Sequence, residues 1–110
     1  MSKGFHILRE EGVVTVARCV PVRFDVSAEA RFGPVRKLAL AQQVRQDLWR
    51  ALRQVRGFAP VVRVAEAGGG VTVTAGGQVE GRHDRARLEE SIAVLLADPR
   101  HVARWTRWAR

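Results

Sequence analysis

The chain has 110 residues, 46% of them apolar, which is enough for one hydrophobic core and too few for two ordinary domains. Seventeen arginines and two lysines against eleven acidic residues leave a net charge of +8. There is no run of about 18 apolar residues to span a membrane, no apolar core of a signal peptide near the N-terminus, and only one cysteine, Cys19, which excludes an internal disulfide and any multi-cysteine zinc site. The expectation is a single cytoplasmic domain over residues 1–110.

Phe5 and Ile7 alternate with polar neighbours, Arg9-Glu10-Glu11-Gly12 reads as a turn, and residues 13–26 then follow period two, the pattern of a β meander. Val14, Val16, Val20, Val22, Phe24 and Val26 share one face of that run, with Arg18 the one charged residue among them. Pro21 cannot donate to a ladder, so the run is expected to break there into two strands, with Cys19 a small apolar strand residue. Residues 27–33 read as a loop. A helix follows with Pro34 in its first turn, and it is expected to reach Arg56. Gly57 would take the left-handed C′ position, Phe58 would fold back on the last turn and Pro60 would prevent continuation.

Val62 and Val64 face Val71 and Val73 across Gly68-Gly69-Gly70, the pattern of a hairpin. Asp84 is placed to cap a second helix in which Leu88, Ile92, Leu95 and Leu96 recur at helical spacing. Asp98-Pro99 then starts a third, short helix. The element order βββ-α-ββ-α-α predicts an α+β fold: a mainly antiparallel sheet of four or five strands, covered by one long basic helix and two shorter C-terminal helices.

The positive charge is unevenly spread. Between residues 34 and 56, Arg36, Lys37, Arg45, Arg50, Arg53 and Arg56 oppose only Asp47, and between 98 and 110 four arginines oppose only Asp98. Such a localised field attracts anionic partners, nucleic acid foremost. On a helical projection Leu38, Leu40, Ala41, Val44, Leu48, Ala51, Leu52 and Val55 gather on one side. Arg45, Arg50, Arg53 and Arg56 lie on the opposite arc with Trp49 near its border. Long donors beside an aromatic platform suit phosphates and unstacked bases, although the same arc also reads as a solvated face with Trp49 under a neighbouring loop. Arg31, Arg36 and Lys37 surround a helix N-terminus, whose unpaired N–H groups favour an anion.

In the C-terminal segment Val102, Trp105, Trp108 and Ala109 fall on one side and Arg100, Arg104, Arg107 and Arg110 on the other. The tryptophans could dock on the parent domain, anchor a partner or a second copy with Arg104 and Arg107, or rest on an anionic membrane surface. The glycines of 68–70 and 76–81 lack a Gly-Lys-Ser/Thr sequence or a dinucleotide fingerprint and read as turn residues.

His6, His83 and His101 have no metal-ligand spacing, no serine stands in a Gly-x-Ser-x-Gly elbow, and Cys19 has no local activator. No catalytic residue, metal, cofactor or small-molecule substrate is therefore assigned. The run from the first long helix to the second, with Gly70-Val71-Thr72-Val73-Thr74-Ala75-Gly76 before the latter, is similar in element order to the α-β-β-α core of BON-type modules. That likeness carries no functional residue, and an arginine-tryptophan helix stands where such modules place a strand. The leading expectation is a non-enzymatic binding module for an anionic partner such as nucleic acid, through Arg45, Trp49, Arg50, Arg53 and Arg56 with Arg31, Arg36 and Lys37 as secondary contacts. The alternative is a protein-interaction or homodimerisation module built on the C-terminal helix.

Overall fold

The computed structural model describes residues 4–110 and has the expected α+β architecture, in the order β1 (His6–Glu10), β2 (Val13–Ala17), β3 (Val26–Phe32), α1 (Lys37–Leu52), β4 (Phe58–Ala67), β5 (Gly70–Val79), α2 (Arg85–Ala97) and α3 (Pro99–Trp108). The five strands form one antiparallel sheet in the order β1-β2-β4-β5-β3. Its register stacks apolar residues on one face: Val14 is opposite Val64, Val16 opposite Val62, and Val64 opposite Val73. Helix α1 covers β2, β4 and β5 on this face, α2 lies over β3, and α3 packs across both helices.

Local chemistry explains most of the boundaries. Gly68 and Gly69, with φ of 53° and 84°, supply the two left-handed residues of the β4–β5 turn. Asp84 accepts from the Arg87 N–H at 3.1 Å to start α2. Asp98 accepts from the Arg100 N–H at 2.9 Å to start α3, with Pro99 at the first helical position. Pro60 is tolerated inside β4 because its carbonyl, which accepts from Arg18 N–H at 3.0 Å, faces the end of β2; its missing donor therefore points where the neighbouring strand is leaving.

Several expectations need correction. Residues 26–32 form the edge strand β3 and not a loop; Ser27, Glu29 and Arg31 alternate with Ala28, Ala30 and Phe32, and the small alanines pack against the core under α2. Residues 18–25, Pro21 and Cys19 included, form the crossover between β2 and β3. Asp25 anchors its far end, accepting from the Val79 N–H at 2.9 Å and pairing with Arg23. Helix α1 is shorter than 34–56 at both ends. Pro34 precedes it, and after Leu52 the chain turns so that Phe58 and Pro60 enter β4, where both are buried. Gly57 (φ 72°) serves this turn, since a Cβ there would meet the Glu80 Cβ at 2.7 Å.

Asp47, the one acid in the basic stretch, is only 6% exposed. Its carboxylate accepts from Trp105 Nε1 at 2.7 Å, from the Arg104 guanidinium and, at 3.3 Å, from Arg50 Nη1. Trp105 is fully buried, its ring 6.3 Å from Phe32 and 5.5 Å from His101 between centroids. At the other end of α3, the Arg36 side chain donates to the Trp108 and Arg110 carbonyls, each at 2.8 Å, and its backbone N–H donates to the Ala109 carbonyl at 2.6 Å. The positive start of α1 thus meets the negative end of α3.

Asp47→Ala strands the Trp105 N–H and the Arg104 charge, and a loss of about 3–5 kcal/mol is expected from the midpoint of urea unfolding. Acid should weaken the fold as well. Arg23 and the Val79 N–H hold Asp25 below the ordinary carboxylate range, the Ser27 N–H does so for Glu89, and the Arg100 N–H for Asp98. Folded values below unfolded ones mean stability that is complete above about pH 4–5 and falls as pH drops through the folded values; unfolding followed from pH 7 to pH 2 checks this.

Candidate nucleic-acid interface

The residues that the sequence places on an anion site divide into engaged and unengaged groups. Arg36 is spent on the carbonyl end of α3, Lys37 Nζ pairs with Glu66 Oε2 at 2.7 Å, and Arg31 Nη2 donates to the Ala67 carbonyl at 3.1 Å. The Lys37 hydrogen bond holds the Glu66 carboxyl below its usual range. A cavity of about 420 Å³ lies beside the start of α1, lined in part by Lys37, Glu66 and Gly68–Gly70, but its cation and carboxylate already satisfy each other. Arg36 and Lys37, expected as secondary anion contacts, are thus engaged within the fold, Arg36 by the α3 carbonyls and Lys37 by Glu66.

The outer face of α1 is different. Trp49 is 45% exposed, with Arg45 one turn before it and Arg53 one turn after, and Arg53 and Arg56 are exposed. Among the described residues no carboxylate comes within ion-pair distance of Arg45, Arg53 or Arg56, while Arg50 shares Asp47. Arg45 is half-buried, donates from Nε to Gln42 Oε1 at 3.0 Å, and holds its guanidinium carbon 4.4 Å from the Phe5 ring centre. Burial lowers its pKa from the ordinary guanidinium value.

Beside this face lies a cavity of about 390 Å³ lined by Phe5, Arg18, Arg45, Trp49, Phe58 and Pro60. Three aromatic rings and two arginines from four parts of the chain converge there. Arg18 Nη1 donates to the Gly4 carbonyl at 3.0 Å, again with no carboxylate partner among the described residues. Phe5, Arg18 and Phe58 are not among the site residues expected from sequence. The visible signal was Arg18, the charge that interrupts an apolar face.

The C-terminal candidates also divide. Trp105 and Arg104 are held by Asp47, so Trp105 docks on its own domain and is not available as a partner anchor. Trp108 is 62% exposed beside exposed Arg107. The helical spacing of Val102, Trp105, Trp108 and Ala109 that placed both tryptophans on one side is too coarse to separate them; the turn of α3 carries Trp108 past the edge of the core.

Among the described residues no helix is long and apolar enough to cross a membrane, and no group of three or more His, Cys, Asp or Glu side chains is arranged to hold a metal ion. No family model, curated protein or solved structure matches this chain.

The two tryptophans of α3 should respond oppositely to removal. Trp105→Ala is expected to cost about 3–5 kcal/mol and Trp108→Ala less than about 0.5 kcal/mol, measured side by side by chemical denaturation.

Proposed function

We propose that the protein is a small, non-enzymatic binding module that engages single-stranded nucleic acid through the outer face of α1 and the turn that follows it, a reading that fits a cytoplasmic location. The observation that carries it is the exposed indole of Trp49 on a helix that offers Arg45 and leads into Arg53 and Arg56, none of the three with a carboxylate partner among the described residues. Arginines of this kind neutralise phosphates and release counterions, and an exposed indole offers a stacking surface to any base. A single strand suits this face better than a duplex, because stacking on Trp49 needs a base that is not already paired and stacked.

Arg50 contributes less than the sequence alone implies, since Asp47 takes part of its charge. Arg31, Arg36 and Lys37 support α1 and its neighbours and are secondary at most. The second reading, a protein-interaction surface on α3, retains only Trp108 and Arg107 as exposed anchors.

The test is fluorescence anisotropy of labelled single strands at two salt concentrations, comparing the native chain with an Arg53→Glu/Arg56→Glu double variant. Affinity should fall about tenfold or more for every sequence, and the slope of log K against log salt should drop by roughly two. Equal affinity of the two proteins would overturn the reading.

A further inference from the structure

The cavity next to Trp49 goes further than the charged ridge, and its reading rests on the function proposed above. We propose that it receives one nucleotide of the bound strand, with the base against Trp49, Phe5 and Phe58 and the phosphate on Arg18 and Arg45.

The walls support this occupant. Phe5 comes from just before β1, Trp49 from α1 and Phe58 from the start of β4, so rings from three separate parts of the chain line one space. The volume, about 390 Å³, lies in the range of pockets that hold small ligands, roughly 300–1,000 Å³. An apolar ligand would leave two guanidinium groups against it without an anion; a phosphate alone would leave the aromatic walls unused. A nucleotide uses both.

The arginines are also held in readiness. Arg18 spends one N–H on the Gly4 carbonyl and Arg45 spends its Nε on Gln42, which fixes both groups and leaves further N–H donors on each. Gly4 permits the Arg18 position: its φ is +82°, and a Cβ there would stand 2.6 Å from Arg18 Nη1. Burial of part of Arg45 without a carboxylate is unfavourable by itself, and a bound phosphate would offset it. Trp49 lines the cavity and Arg53 follows it by one helical turn, so a strand bound along this end of α1 reaches the cavity.

The experiment compares an oligothymidylate with an abasic deoxyribose-phosphate strand of the same length, in the native chain and in Arg18→Gln and Phe5→Ala, with circular dichroism to verify folding. Arg18 is exposed and lies off α1, so its substitution addresses the cavity and not the ridge. The native chain should bind the base-bearing strand about tenfold more tightly, the scale of one stacked base; Phe5→Ala should reduce that preference several-fold, and Arg18→Gln, which removes a phosphate contact, should weaken binding of both strands. If the native chain binds both strands equally, if folded Phe5→Ala keeps the full preference, or if folded Arg18→Gln binds both strands as tightly as the native chain, the cavity assignment is wrong and the α1 reading stands. If neither strand binds at low salt, both readings fail, and a cavity filled by an acidic, aromatic protein segment becomes the occupant to test.

Discussion

The arrangement depends on a single buried carboxylate. Asp47 sits on the inner side of a helix otherwise rich in arginine and receives the Trp105 indole and the Arg104 guanidinium from α3. A carboxylate this far out of water is tolerable only with such partners, so the sheet-facing helix and the C-terminal helix specify each other's position. The indole also brings its ring against Phe32, which joins the polar contact to the main core. With Arg36 gathering the carbonyl end of α3, the last helix is fixed at both its tryptophan and its C-terminus.

This docking redistributes the charge on which the functional reading turns. In the sequence, the two basic stretches look like two comparable sources of field. In the fold, α3 turns Arg104 inward and Arg36 is consumed in holding it, while Glu66 neutralises Lys37. Arg45, Arg53, Arg56 and Arg18, near the one exposed indole of α1 and its aromatic cavity, keep their charge without carboxylate partners among the described residues. The arginines spent on structure, Arg36 and Arg104, lie before α1 and in α3, those proposed for binding lie on α1 and in the turn after it, and Arg50 stands between the two roles.

Features governed by neighbouring residues were legible in the sequence. The glycine turn between β4 and β5, the aspartate caps of α2 and α3, and the apolar side of α1 follow from chemistry within a few positions. The strand β3 was hidden because the middle of its inward side is alanine, Ala28 and Ala30, whose small size matters only once α2 lies over it. The end of α1 was overextended because Gly57, Phe58 and Pro60 form a convincing local stop, whereas the sheet recruits Phe58 and Pro60 into β4. In the sequence Asp47 is only the one acid opposing a basic stretch; Arg50, three positions on, is a local partner, but the partners that bury the carboxylate are 57 and 58 residues away. The cavity was equally out of reach, since Phe5, Arg18, Trp49 and Phe58 meet only through strand order, and Arg18 alone left a trace as a charge out of pattern.

The three indole N–H groups offer the most direct test of this division of roles, because Trp49, Trp105 and Trp108 occupy the proposed interface, the buried clamp and the exposed end of α3. Proton–nitrogen correlation spectra recorded while a short oligothymidylate is added should show the Trp49 indole signal moving in a saturable way, with Trp105 and Trp108 unmoved. A saturable shift of Trp108 with Trp49 stationary would contradict the account and place the binding surface on α3.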